Sequence, residues 1–331
     1  MNLNKNTSYS LIHILNGNDT AKRVSEQMKG VDVRSIQRAL VRLTDLGILT
    51  RIGTNHPRYL VNYDKLFDLT ISSKLLEDEN RPKSIFNHGL IDWLLKLPKN
   101  ELEFLLNSSV DDTLVSKHSE PMTAKELEYL TIELSWKSSS FEGNTYTLLD
   151  TQLLLIEGIK AKNRTEFETQ MILNHKDAVS FIINNKELFS NDIKFRTIEE
   201  LHRIIGNNLG IGNGIRKRLV KITASNYEPL SNPHHLRENA DNILEIINST
   251  SNPYIKALLA LTLIPYLQAF EDGNKRTGRM LANAILISSI NKGFSLRKTD
   301  ARGLALAYLA FYEFNSVQDL SKILETEFSI D

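Results

Sequence analysis

The chain has 331 residues, enough for two or three domains, and its 41% hydrophobic and 24% charged content is ordinary for a folded globular protein. It has no run of about 18 apolar residues and no basic-then-apolar leader in its start, MNLNKNTSYSLIHIL, so a cytoplasmic protein with no membrane partner is expected. Zero cysteines exclude disulfides and thiolate metal centres, and the 40 basic and 40 acidic residues cancel.

The charge is unevenly spread. Residues 1–62 hold nine basic and four acidic residues, a net +5 that the remainder offsets, so this end has a mild attraction for polyanions. Within it, YSLIHILNG reads as a short helix ended by Gly17. DTAKRVSEQMKG reads as a second, with Asp19 or Thr20 as N-cap and Gly30 as stop. DVRSIQRALVRLTDLG is a third, with Val33, Ile36, Leu40, Leu43 and Leu46 at helical spacing. ILTRIGTNHPRYLVN then alternates apolar and polar residues around Gly53 and Pro57, as a hairpin does.

Three helices and a hairpin resemble a winged helix-turn-helix domain, here residues 1–70. The resemblance implies a third helix that enters the major groove and a hairpin that serves as the wing, with duplex DNA as the partner of residues 1–62. Arg34, Ser35, Gln37, Arg38 and Arg42 are the polar positions such a helix needs, and Arg51 and Arg58 fit phosphate contacts from the wing. The same residues fit a helical module that docks on a protein, its arginines merely solvated. Helix-turn-helix proteins often bind DNA as dimers, so a homodimer joins the expected partners.

Residues 71–125 read as a helical connector with breaks at Pro82 and Pro98. From about 126 onward helices dominate, so the fold class is mostly α. One segment, GIRKRLVKITASNYEPLSNPHHL at 214–236, alternates imperfectly and breaks at Pro229 and Pro233; it reads as an irregular β-hairpin on a helical body.

The densest chemistry lies at 268–279, QAFEDGNKRTGR, between two apolar helices, YIKALLALTLIPYL and TGRMLANAILISSI. Amides at a helix start lack internal acceptors, and Gly273 lets the backbone turn without steric cost, so Asp272, Gly273, Asn274 and Lys275 describe a positively polarised seat for phosphate. Lys275 and Arg276 add charge, Arg276 as a planar fork. Asp272 fits Mg2+ held through one carboxylate while phosphates and water complete the shell. Phe270 faces the core and pins the loop.

This stretch resembles the Fic/Doc (Fido) motif, His-Pro-Phe-x-Asp/Glu-Gly-Asn-Gly/Lys-Arg-x-x-Arg. It matches at Phe270, Asp272, Gly273, Asn274, Lys275, Arg276 and Arg279, and departs at Gln268 and Ala269. The resemblance covers about residues 126–330 and implies a helical Fic domain at 126–331, with ATP and Mg2+ as cofactors and AMP transfer to a hydroxyl of a target protein. SSSFEGN at 138–144 resembles the family's inhibitory motif, here Ser138 and Glu142-Gly143, whose glutamate lies against the second arginine of the loop, here Arg279. GIRKRLVKITASNYEPL at 214–230 resembles the family's flap, which aligns a target strand, with Ile215, Val220 and Tyr227 as candidate contacts.

Gln268 stands where the family has the histidine that takes the proton from the attacking hydroxyl. A neutral amide cannot accept that proton usefully; it can only orient the nucleophile. Other bases within reach of the sequence argument are Glu271, Asp272, His234 and His235, while His13, His56, His175 and His202 are isolated and lack metal-ligand spacing. Three functions stay open: a nucleotide-binding regulator with weak or absent transfer, an active adenylyltransferase restrained by Glu142, and a phosphotransferase hinted at by Lys275.

Overall fold

The computed structural model of the chain describes residues 3–98 and 121–328. In chain order the elements are α1 (Lys5–Leu15), α2 (Ala21–Gln27), α3 (Val33–Asp45), β1 (Leu49–Ile52), β2 (Arg58–Val61), α4 (Tyr63–Phe67), α5 (Ser73–Leu76), β3 (Ser84–Ile85) and α6 (His88–Lys96). They continue with α7 (Ala124–Ser140), α8 (Leu148–Glu157), α9 (Glu166–Asn184), α10 (Glu187–Ser190), α11 (Phe195–Gly206), β4 (Tyr227–Glu228), α12 (Pro233–Ser249), α13 (Pro253–Leu267), α14 (Asn274–Ile290), α15 (Ala301–Phe314) and α16 (Gln318–Phe328). The fold is mostly α, as expected. Two compact units divide the chain: Met1–Lys96 with Val220–Leu230 and Ala305–Asp319, and Leu97–Leu219 with Ser231–Leu304 and Leu320–Asp331. These borders differ from those expected at 70 and 125, and much of the expected connector lies outside the described residues.

In the first unit, α1 begins four residues before the apolar run, because the Asn4 carboxamide accepts the Thr7 amide at 2.9 Å. Thr20 is the cap of α2 and Asp32 that of α3. Gly47, at φ +73°, closes α3 by letting the Ile48 amide reach the Leu43 carbonyl at 3.0 Å. Leu11, Ile12, Val24, Ile36, Leu40, Leu43, Leu49 and Tyr59 form one core beneath these helices and the antiparallel β1–β2 hairpin, whose register runs from Leu49↔Val61 to Ile52↔Arg58.

The segment at 214–236 is not a hairpin. Its one strand, β4, pairs in parallel with β3, Ser84 opposite Tyr227 and Ile85 opposite Glu228. The residues before it satisfy their polar groups elsewhere. The Glu313 carboxylate accepts from Ser225 Oγ, from the Asn226 amide and from Arg81 Nε, the last at 2.6 Å in an ion pair buried on both sides. The Tyr227 side chain is buried and stacked on Tyr312.

In the second unit, α7, α8 and α9 each open on a reciprocal threonine–acid cap: Thr123 with Glu126, Thr147 with Asp150, Thr165 with Glu168. The centre is the pair α13 and α14, buried almost throughout. They meet closely at Gly278, where a Cβ would lie 2.8 Å from the ring carbons of Pro265, so no other residue fits. Helices α9, α10 and α11 pack on α14, and α12 packs on α13. Among the described residues no helix is long and apolar enough to cross a membrane.

Candidate functional site

The loop between α13 and α14 is built from the inside. Gln268 caps α13 in the left-handed conformation, φ 51° and ψ 49°, which costs a non-glycine residue roughly 1–2 kcal/mol. Its side chain offsets this: Nε2 donates to the Pro265 carbonyl at 2.6 Å, and Oε1 accepts from Asn274 Nδ2 at 3.1 Å. The Pro265 oxygen only accepts, so the amide's orientation follows from its partners. Asn274 clasps the turn, donating to the Phe270 carbonyl at 2.9 Å and accepting the Phe270 amide at 3.0 Å. Both carboxamides are therefore engaged within the loop, where the Asn274 side chain serves the turn. Gly273, at φ +77°, opens α14 without a side-chain cap.

Two residues hold the loop that the sequence did not single out for it. His202 of α11 donates Nε2–H to the Asp272 carbonyl at 2.9 Å, and its ring stacks on Phe270 at 3.8 Å between centroids. Burial holds this imidazole below its ordinary pKa, so it is a neutral support. Arg216 donates its amide to Ala269 O at 2.9 Å and Nε to Gln268 O at 2.6 Å. The alternative bases lie elsewhere. His234 and His235 are exposed in the first turn of α12 and make no hydrogen bond to the loop among the described residues, and the Glu271 carboxylate lies beside the Gly212 backbone.

The charged groups converge on the start of α14. Arg276 is 2% exposed and donates Nη2–H to Asp272 Oδ2 at 2.9 Å, while the Asp272 side chain is two-thirds exposed. Arg279 is fully buried; its Nε donates to Ser138 Oγ at 3.0 Å and its Nη2 to Ser138 O at 3.1 Å and Glu142 Oε1 at 2.8 Å. The Phe141 ring lies 5.6 Å from the Arg279 guanidinium carbon. Burial pushes the Lys275 ammonium and the Arg276 guanidinium below their usual pKa ranges. For Glu142, burial works toward a higher pKa, but the charge and hydrogen bond of Arg279 outweigh it and hold the carboxyl below its usual range.

Three guanidinium nitrogens on two arginines remain unmatched among the described residues. Arg276 Nε, Arg276 Nη1 and Arg279 Nη1 are buried with no hydrogen-bond partner among the described residues. A buried polar group left so costs about 1–3 kcal/mol, more when it is charged. Two such cations beside a glycine-opened helix start suit a polyanion. For Mg2+, no cluster of three or more His, Cys, Asp or Glu side chains capable of holding a metal occurs among the described residues. The exposed Asp272 fits the mode in which one carboxylate, phosphates and water share the cation.

A family model for Fic/DOC proteins matches residues 192–286. Protein adenylyltransferase fic-1 of Caenorhabditis elegans is 28% identical over 158 residues, 45% of this chain and 30% of the relative. Protein adenylyltransferase Fic of Nematostella vectensis is 24% identical over 249 residues, 71% of this chain and 58% of the relative. The chain thus spans less than two-thirds of the length of these relatives. A solved structure of Fic-1 from C. elegans, residues 134–508, shares the fold with a TM-score of 0.52 at 17% identity, covering 97% of this chain and 95% of that one. With the motif residues of α14 and its loop inside the matched span, the chain carries a Fic/DOC family domain.

Proposed function

We propose that the second unit binds ATP with Mg2+ at the start of α14, and that it transfers AMP to protein hydroxyls weakly or not at all. The observation that carries binding is the set of buried, unmatched guanidinium N–H groups on Arg276 and Arg279. Arg276 and Arg279 receive phosphate oxygens, Lys275 adds charge, and Gly273 lets the backbone approach closely. Asp272 would hold Mg2+, which neutralises charge on the phosphates.

The weakness of transfer rests on Gln268. Both ends of its amide are engaged inside the loop, and an amide has no proton-accepting power near neutral pH. Glu142, on Arg279, would compete with a phosphate for that guanidinium and so restrain binding. A polar, arginine-bearing α3 beside the β1–β2 hairpin supports a DNA-binding role for the first unit, which makes the protein a nucleotide-sensing regulator.

A second reading is an active adenylyltransferase, favoured by the names of the relatives. Incubation with α-labelled ATP, Mg2+ and cell lysate separates the two. Strong labelling of a protein band, lost on Asp272→Ala, establishes the enzyme; binding by calorimetry without labelling establishes the regulator.

A further inference from the structure

Ser138, Glu142 and Arg279 read at first as one restraint, but the hydrogen bonds around Ser138 run in a single direction. Arg279 Nε carries a proton, so Ser138 Oγ accepts from it at 3.0 Å. The serine's own proton needs an acceptor, and His175 Nε2 lies 2.9 Å away. The other ring nitrogen, Nδ1, is 2.7 Å from the Met171 carbonyl, which can only accept; Nδ1 therefore carries the ring proton, and Nε2 offers a lone pair. Ser139 Oγ, at 3.4 Å from Nδ1, is a longer neighbour that leaves this tautomer unchanged. Ser138, His175 and Arg279 are all fully buried.

The two contacts of Ser138 to Arg279 come from the last turns of α7, one through the hydroxyl and one through the main chain. The Glu142 contact comes from the turn beyond that helix, and the Glu142 side chain is 27% exposed. An arriving anion can displace Glu142, whereas Ser138, sealed against His175, stays. Arg279 Nη1 has no hydrogen-bond partner among the described residues and keeps a donor direction to offer.

We propose that Ser138 and His175 form a fixed socket that presents Arg279 to an anion, so that Ser138 serves ligand binding while Glu142, four residues on, opposes it. Both are positioning residues, His175 acting through Ser138 and Ser138 through Arg279. This rests on the reading of the loop as a triphosphate site.

The experiment measures ATP–Mg2+ binding by calorimetry in a Glu142→Gly chain, with and without a second change. Ser138→Ala should weaken binding about tenfold or more, the scale of one hydrogen bond to a charged group. Ser138→Thr, which keeps the hydroxyl, should restore it, and His175→Phe should weaken it several-fold. An unchanged affinity in Glu142→Gly/Ser138→Ala overturns the proposal. So does a Ser138→Ala change that, with Glu142 intact, tightens binding as Glu142→Gly does. If Glu142→Gly binds no triphosphate at all, the triphosphate reading fails, and the socket is tested separately by 15N spectra of arginine and histidine side chains. Proton exchange at Arg279 Nε should quicken in Ser138→Ala and slow again in Ser138→Thr; exchange unaltered by Ser138→Ala overturns the socket.

Discussion

Glu142 Oε1 and Arg279 Nη2 lie 2.8 Å apart, with the guanidinium fully buried and the carboxylate partly open to solvent. A charge pair of this kind is easier to break from the exposed side. Replacing Glu142 by glycine removes the carboxylate and leaves Arg279 held by Ser138, so triphosphate affinity should rise about tenfold or more in calorimetry, the scale of a charged hydrogen bond. The Glu142 carboxyl is held below its usual range, so the contact is fully present above about pH 4.5 and weakens only as the pH falls below that. The gain from Glu142→Gly should therefore be the same at pH 6 and pH 8. Equal affinities for the two chains would remove Glu142 from regulation.

Gln268 marks the chemical deficit. A histidine general base contributes about 10²–10⁴-fold to rate. Gln268→His combined with Glu142→Gly should thus convert a silent or faintly labelled chain into one that labels itself with α-labelled ATP, faster by that factor. The substitution also removes the bond to Pro265 and the acceptor for Asn274, so the melting temperature should be followed in parallel. A folded double variant that binds ATP and still transfers nothing would show that the deficit lies outside this position.

His175 gives the second unit a pH signature. Burial holds it neutral in the folded chain, its pKa lowered to about 3, with Arg276 and Arg279 adding to the effect and Glu142 and the Met171 carbonyl opposing it. Unfolded, it titrates near 6.5. Below pH 6.5 the unfolded chain takes up a proton that the folded chain refuses, so stability falls with pH; above 6.5 the contribution is flat. At pH 5 the loss from this residue is about 2 kcal/mol. His202 shifts in the same direction through burial and adds to the slope. In a Trp93→Phe background, where Trp136 is the remaining tryptophan, urea unfolding should show a smaller loss between pH 7.5 and pH 5 in His175→Gln than in the parent. Identical losses would mean that His175 is hydrated or charged in the fold.

The sequence made the loop legible for a local reason. Two apolar helices fence a string of charges, and the turn between them needs Gly273, so Phe270, Asp272 and the two arginines stand out without any knowledge of their neighbours. Glu142 was legible through its own short motif. His202, Arg216 and His175 were not, because their partners lie 70, 52 and 37 residues away and such contacts leave no periodic trace. The inward turn of the Asn274 carboxamide, which clasps Phe270, was not legible either, because it depends on how the loop closes. The expected hairpin failed because weak alternation is poor evidence for pairing, and the Asn226 amide found Glu313.

The polar face of α3 carries the remaining expectation. Arg34, Gln37, Arg38 and Arg42 are exposed along it, as are Arg51 and Arg58 on the hairpin. Ser35, assigned to the same surface, instead donates its hydroxyl to Asp32 at 2.6 Å and helps cap the helix. Arg58 leans toward Asp19 at 3.6 Å, and Arg51 Nη2 donates to Thr54 O at 3.3 Å, contacts weak enough for a phosphate to replace. If α3 lies in a major groove, each arginine that meets a phosphate should contribute about 0.9 to the slope of log affinity against log salt. Binding of fluorescent duplex fragments across 50–200 mM salt should therefore show a slope that falls by about one unit in Arg51→Ala, uniformly across DNA sequences. Arg38→Ala should instead flatten discrimination among fragments if Arg38 reads a base edge, where a bidentate contact is worth about 1–3 kcal/mol. Affinity that is absent, or indifferent to salt, would leave the first unit as a protein-docking module with solvated arginines.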